Sequence, residues 1–247
     1  MLRLALLLAL AVGALAARPH AAPPLVIGGF SSMAPGGLVV GWEPLRLGDA
    51  RPSTYTLVRE PASAQAGGGT VVVRARADRS ASGLVRRVRV DLAEYPVMAW
   101  RWKVDGVIAR GDVTRRDGDD YPARIYVTFD YPVSRLSFGD RVKYRALRAL
   151  GYRDIPTRAL NYIWANRAGE TRIVANPFTN WVQMVPVESG PANAGRWRSV
   201  RRNVADDYRA AFGEDPPAIT GIAIMTDADN TGGAAAASYG DLTMEER

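Results

Sequence analysis

The chain has 247 residues, 32 basic against 25 acidic for a net charge of +7, no cysteine and a single histidine. Disulfides, thiolate nucleophiles and cysteine metal sites are therefore excluded. With His20 close to the N-terminus, so are a Ser-His-Asp triad, a histidine general base and histidine zinc ligands in the body of the chain.

The N-terminal run MLRLALLLALAVGALA has one basic residue, an unbroken apolar stretch and Ala14-Leu15-Ala16 as an A-x-A cleavage site. This predicts a secretory signal peptide over residues 1–17, too short for a membrane span. Residues 18–36, rich in Pro and Ala, are expected to be a flexible leader, and residues 37–247 a single domain. No later stretch is apolar enough to cross a bilayer, so a periplasmic or secreted protein is expected.

In chain order, strand-like runs fall at 55–59, 70–77, 84–92, 97–104, 124–129, 160–165, 181–187, 197–203, 220–226 and 235–243. The breaker segment 61–69, PASAQAGGG, reads as a hairpin loop. In 97–104, Met98, Trp100, Trp102 and Val104 share one face, with Arg101 and Lys103 on the other. In 124–129, Ile125, Val127 and Phe129 alternate with Arg124, Tyr126 and Thr128. A period of two in aromatic and β-branched residues marks half-buried strands. Two helices interrupt the series. Phe138, Val142, Ala146 and Leu150 recur at helical spacing before Gly151, and NVADDYRAAF at 203–212 ends at Gly213. The expected fold is all-β, an antiparallel, jelly-roll-like β-sandwich with two short covering helices.

Two acidic loops adjoin strong strands. Gly118-Asp119-Asp120-Tyr121 feeds the strand at 124–129, and Asp227-Ala228-Asp229-Asn230-Thr231-Gly232-Gly233 leaves the strand at 220–226. Loops held by a rigid scaffold are where sites concentrate. If the two strands are neighbours, Asp119 or Asp120, Arg124, Asp227, Asp229 and Asn230 converge. Adjacent carboxylates point to opposite faces of a strand, so one of the Asp119-Asp120 pair is expected to face a ligand. The second loop matches half of a calcium-binding loop. Asp227, Asp229 and Thr231 are the candidate metal ligands, with Ser238 standing where a bidentate Glu is needed. Alternatively, these Asp and Asn side chains satisfy turn amides.

Among the aromatics, Trp100 and Trp102 read as core. Tyr126, on the face of Arg124 and Thr128, is a candidate stacking platform, as is Trp164 in ALNYIWAN. Lys103 and Lys143 are the only lysines, and the arginines are spread along the sequence. Nucleic-acid binding needs a basic stripe on one element, so a glycan or another anionic envelope component is the expected partner.

The segments WRWKVDG, GDDYPARIYVTFD, YIWAN and RNVADDYRAAFGEDPPAITGIAIMTDADNTGGAAAASYGDL resemble the exported bacterial family of domain of unknown function 3047, from Val40 to Leu242. The resemblance implies an envelope protein and carries over no catalytic residue. The strand pattern is also similar to jelly-roll carbohydrate-binding modules. Two functions follow. The first is non-catalytic binding of a glycan or other polar envelope ligand, with Tyr126 and Trp164 stacking and Arg124 meeting an acidic group. On that reading Asp227→Asn costs ligand and not stability. The second is a glycoside hydrolase with an Asp pair, or a lyase with Tyr126 as base beside Arg124.

Overall fold

A computed structural model describes residues 23–61, 69–149 and 155–247. The expected signal peptide at 1–17, His20, most of the 61–69 loop, and Leu150 with its terminator Gly151 lie outside the described residues.

Thirteen strands appear among the described residues: β1 Leu25–Gly28, β2 Glu43–Arg46, β3 Thr54–Arg59, β4 Val71–Asp78, β5 Ala81–Val90, β6 Val97–Val104, β7 Arg124–Phe129, β8 Ala159–Ala165, β9 Val174–Asn176, β10 Thr179–Ser189, β11 Arg198–Asn203, β12 Ile219–Asp227 and β13 Ala234–Glu245. Helix α1 spans Phe138–Ala149 and α2 Val204–Phe212. The strands form two packed sheets. One runs β11-β6-β13-β4-β3, with β1 added beside β13; the other runs β2-β5-β12-β7-β8-β10-β9. Neighbours are antiparallel except β8 and β10, which run parallel. This is the jelly-roll-like sandwich that the alternating pattern implies.

The alternation of β6 places Met98, Trp100, Trp102 and Val104 in the core and leaves Ala99, Arg101 and Lys103 half-exposed. Across the sandwich, Trp102 meets Trp164 at 6.2 Å and Trp100 meets Tyr162 at 5.3 Å between ring centroids. Burial of this aromatic surface, with the aliphatic side chains around it, holds the two sheets together. Helix α2 closes one end. The Asn203 side chain caps it by accepting from Asp206 N, Gly213 ends it with φ 71°, and buried Tyr208 packs on Phe129 at 4.7 Å.

The expected leader needs correction in its described part. Residues 25–28 are a strand registered Leu25↔Met244 and Val26↔Thr243, and the fully buried Phe30 packs against Trp42 at 5.4 Å. The Pro/Ala composition hid a short apolar stretch, Leu25-Val26-Ile27, that completes the edge of the first sheet. Two further short strands escaped the periodicity: β2, an edge strand that tolerates Pro44, and the three-residue β9.

Candidate functional site

Strands β7 and β12 are neighbours, registered Ile125↔Ile224 and Arg124↔Met225. Antiparallel pairing therefore sets the start of β7 beside the end of β12, and the two acidic loops meet. Before β7 the chain makes a 3-10 turn at Arg116–Gly118. A side chain on Gly118 would come within 2.8 Å of the Asp112 backbone nitrogen, so this approach needs glycine.

Asp119 and Asp120 follow that turn and are not in a strand. Both turn inward, 6% and 0% exposed, in place of the expected one-in, one-out arrangement. Asp120 pins the second loop. It accepts from Asn230 N at 3.2 Å, Asn230 Nδ2 at 3.3 Å and Thr231 N at 2.6 Å. The turn amides of 230 and 231 are thus satisfied from across the site, by a carboxylate in the other loop.

Arg124 is 2% exposed. Its guanidinium pairs with the fully buried Asp227, lies 3.6 Å from Asp119 Oδ1 and donates to the Asp119 carbonyl at 3.2 Å. The rings of Tyr121 and Tyr126 flank it, with centroids 4.9 Å and 5.7 Å from Cζ. Its charge is thus taken up internally, which corrects the expectation that Arg124 meets an acidic ligand group. Asp227 Oδ1 also accepts from Tyr121 N at 3.2 Å.

Sequence reading missed three members of this site. Asn176, on the short β9, donates to Asp119 Oδ2 at 3.0 Å, Asn161 faces Tyr126 across β7 and β8, and Tyr121 is wholly buried. Asn176 precedes Pro177, and an Asn-Pro pair signals a turn without pointing to a site.

Burial pushes the Asp119 carboxyl above its ordinary range, with Arg124 opposing. Asp229, on the exposed side of the cluster, is also raised, first by desolvation and then by Asp120. Tyr126 is raised by burial, again against the effect of Arg124. That direction is wrong for a lyase base, which needs a readily lost proton.

Trp164 leaves the site. All seven residues of β8 are buried because the strand lies inside its sheet with both faces covered. The Trp164 Nε1 donates to the Gly190 carbonyl at 3.1 Å, so the ring is core and cannot stack on a ligand.

Carboxylate oxygens of Asp120, Asp227 and Asp229 lie within 4.8 Å of one another. The expected cation set of Asp227, Asp229 and Thr231 is thereby altered. Thr231 gives its amide to Asp120, and Asp120 joins the cluster. The donor chemistry fits a calcium ion poorly. Both Asp120 oxygens accept protein N–H groups and Asp227 faces a guanidinium, which leaves Asp229 as the one carboxylate turned to solvent. A hydrolase pair is disfavoured for the same reason, since two acids must reach one bond from about 5–5.5 Å apart or more.

Tyr126 connects this polar cluster to open space. It lines a cleft of about 400 Å³ on the outer face of the seven-stranded sheet, where Leu45 and Val85 form one wall, Tyr144 of α1 the other, and Ala223 and Met225 the floor.

No curated protein matches the chain. Among solved structures, endoglucanase 3 of Trichoderma harzianum, from family GH12, is similar at 8% identity and a TM-score of 0.37, over 85% of this chain and 100% of that one. A likeness at that level says nothing about the activity of this chain. The family described as protein of unknown function DUF3047 matches residues 40–243, which include both acidic loops and nearly all of both sheets, and the chain belongs to that family.

Proposed function

We propose that this protein is exported and binds a glycan, without catalysis, in the cleft between α1 and the β2–β5 edge of the seven-stranded sheet. The observation that carries the reading is the placement of Tyr126. One side of its ring lines an open cleft and the other adjoins the buried Arg124 ensemble, which fixes the ring's orientation. Tyr126 and Tyr144 offer flat apolar faces with polar tips, and Thr128, Thr157 and Thr220 line the same cleft with hydroxyls. A mostly apolar cleft with a few fixed polar groups is the usual form of a small-molecule site. The signal-like N-terminus supports export to the periplasm or beyond, and among the described residues no helix is long and apolar enough to cross a membrane. Titration calorimetry with oligosaccharides from peptidoglycan, lipopolysaccharide and plant cell walls tests the reading. Saturable binding to at least one, weakened at least tenfold by Tyr126→Ala, is expected. Absence of binding to all three overturns it.

A further inference from the structure

We infer that the outer side of α1, turned away from the cleft that its Tyr144 lines, is a docking element for an anionic phospholipid surface. Helix α1 has no fully buried residue. Its inner side rests on the second sheet through half-buried Tyr144, 6.4 Å from the Trp181 ring, and Leu147. The helical repeat then aligns Phe138, Val142, Arg145 and Ala149 along the opposite, outer side, with Arg141 and Arg148 bordering them.

That outer side is unusual in two respects. Phe138 and Val142 are 76% and 53% exposed, and Phe178, beside the helix, is 42% exposed. These are three of only six large apolar side chains left exposed among the described residues. Lys143 fastens Phe178 to the helix by donating to its carbonyl, and the Arg116 guanidinium lies 5.4 Å from the Phe178 ring. The helix also carries Arg141 and Arg145, besides Lys143 and Arg148, which have partners of their own, and one acid, Asp140. That acid is engaged at the N-terminus, accepting from Ser137 Oγ at 2.7 Å. Three arginines and one of the two lysines thus fall within this one twelve-residue element.

Exposed Phe and Val interleaved with Arg match the physics of an interfacial helix. Apolar side chains enter the headgroup–acyl boundary while guanidinium groups pair with lipid phosphates, their stems lying along the apolar surface. A soluble polyanion would satisfy the arginines but give the Phe and Val side chains nothing to bury against. At twelve residues, α1 is too short to span a bilayer, so it lies flat.

The absence of cysteine permits a local test on the full-length chain. Ala146→Cys, on the exposed flank of α1, carries an environment-sensitive fluorophore, and Ser199→Cys on the opposite sheet carries the same probe as a control. With vesicles of phosphatidylglycerol and phosphatidylcholine, the α1 probe is expected to shift to the blue and to be quenched by spin-labelled acyl chains. The Ser199 probe stays in water. Arg141→Glu with Arg145→Glu should reduce vesicle affinity at least tenfold, and Phe138→Ser with Val142→Ser should abolish quenching without moving Tm. The inference is overturned if the α1 probe stays in water on anionic vesicles or responds equally to pure phosphatidylcholine. It is also overturned if the probe responds to a soluble acidic polysaccharide instead of vesicles, if the Ser199 probe shifts as well, or if either double variant behaves like the parent.

Discussion

Arg124 and Asp227, 103 positions apart in the chain, form an ion pair from which solvent is excluded, at 2% and 0% exposure. The pair joins the first residue of β7 to the last of β12 and holds both acidic loops in one place. A charge buried without its partner is far more costly than the pair is worth. Asp227→Asn is therefore expected to destabilise the fold by about 3 kcal/mol, contrary to the near-neutral effect its loop-like sequence suggests. Arg124→Met with Asp227→Leu, which removes both charges, should recover most of the loss. Urea unfolding midpoints of the parent and the two variants check this.

The convergence of the two acidic loops was readable as a condition, that β7 and β12 be neighbours, and the condition holds. Pattern could not reveal depth. In sequence Arg124 alternates with Ile125 and looks like a solvent-facing strand residue. It is buried because Tyr121, Tyr126 and the turned-in Asp119 close over it, and these are contacts between segments. Trp164 failed as a ligand platform for a related reason. A strand buried on both faces carries no alternation to distinguish core from surface. The other longer strands and both helices were legible because their periodicity is local. β1, β2 and β9 are three or four residues long and exist through their neighbours.

Asp120 is expected to matter through the loop it pins. Its carboxylate accepts from the amides of Asn230 and Thr231, and hydrogen bonds to a charged acceptor contribute about 1.5–3 kcal/mol each when buried. Asp120→Ala should release residues 229–232, with amide hydrogen exchange at Asn230 and Thr231 accelerating at least a hundredfold while β6 and β13 amides stay protected. Unchanged exchange at those two positions would show that the loop holds itself.

The cleft and the core separate cleanly in mutagenesis. Tyr126 is half-buried at the cleft, so Tyr126→Ala should lower glycan affinity at least tenfold with a modest change in Tm. Trp164, fully buried against Trp102, should behave in the opposite way. Trp164→Ala opens a large cavity and is expected to cost about 3–5 kcal/mol, leaving the protein partly unfolded at 37 °C. Thermal melts paired with calorimetry distinguish the two.

Acidity should stabilise this protein before it destabilises it. Asp119 and Asp229 bind their protons more tightly in the fold than in the unfolded chain, chiefly through desolvation. Such groups favour the fold when protonated, and that contribution is lost as pH rises through the window above the ordinary carboxylate value of about 4. Asp105 and Asp112 act in the opposite sense. Arg74 and Thr114 hold them below that value, so their stabilisation is present above it and lost as pH falls further. Stability is therefore expected to rise as pH falls from neutral toward the ordinary carboxylate value of about 4, and to drop below it. Asp119→Asn should flatten the upper slope and leave the lower one, as read from urea midpoints across the pH range. An upper slope identical in parent and variant would place the titrating group elsewhere.

Chelation should leave the melting temperature where it is. A cation that only the folded state binds would add its binding free energy to stability, so its removal would lower Tm. In the Asp120–Asp227–Asp229 cluster the positive charge comes from Arg124, and Asp120 is saturated by loop N–H groups. A metal within reach of Asp227 would also stand beside a guanidinium, and like charges repel strongly in so dry a site. Excess EDTA is thus expected to shift Tm by less than about 1 °C, and millimolar calcium to raise it no further, because a ligand without differential affinity for the fold changes no equilibrium. Asp229→Asn, which removes the solvent-facing carboxylate and relieves its repulsion with Asp120, should leave Tm unchanged or raise it slightly, with or without chelator. Differential scanning calorimetry on parent and variant decides the matter. A chelator-induced drop in the parent that vanishes in Asp229→Asn would mean that the cluster holds a structural cation and that Arg124 shares the site with it.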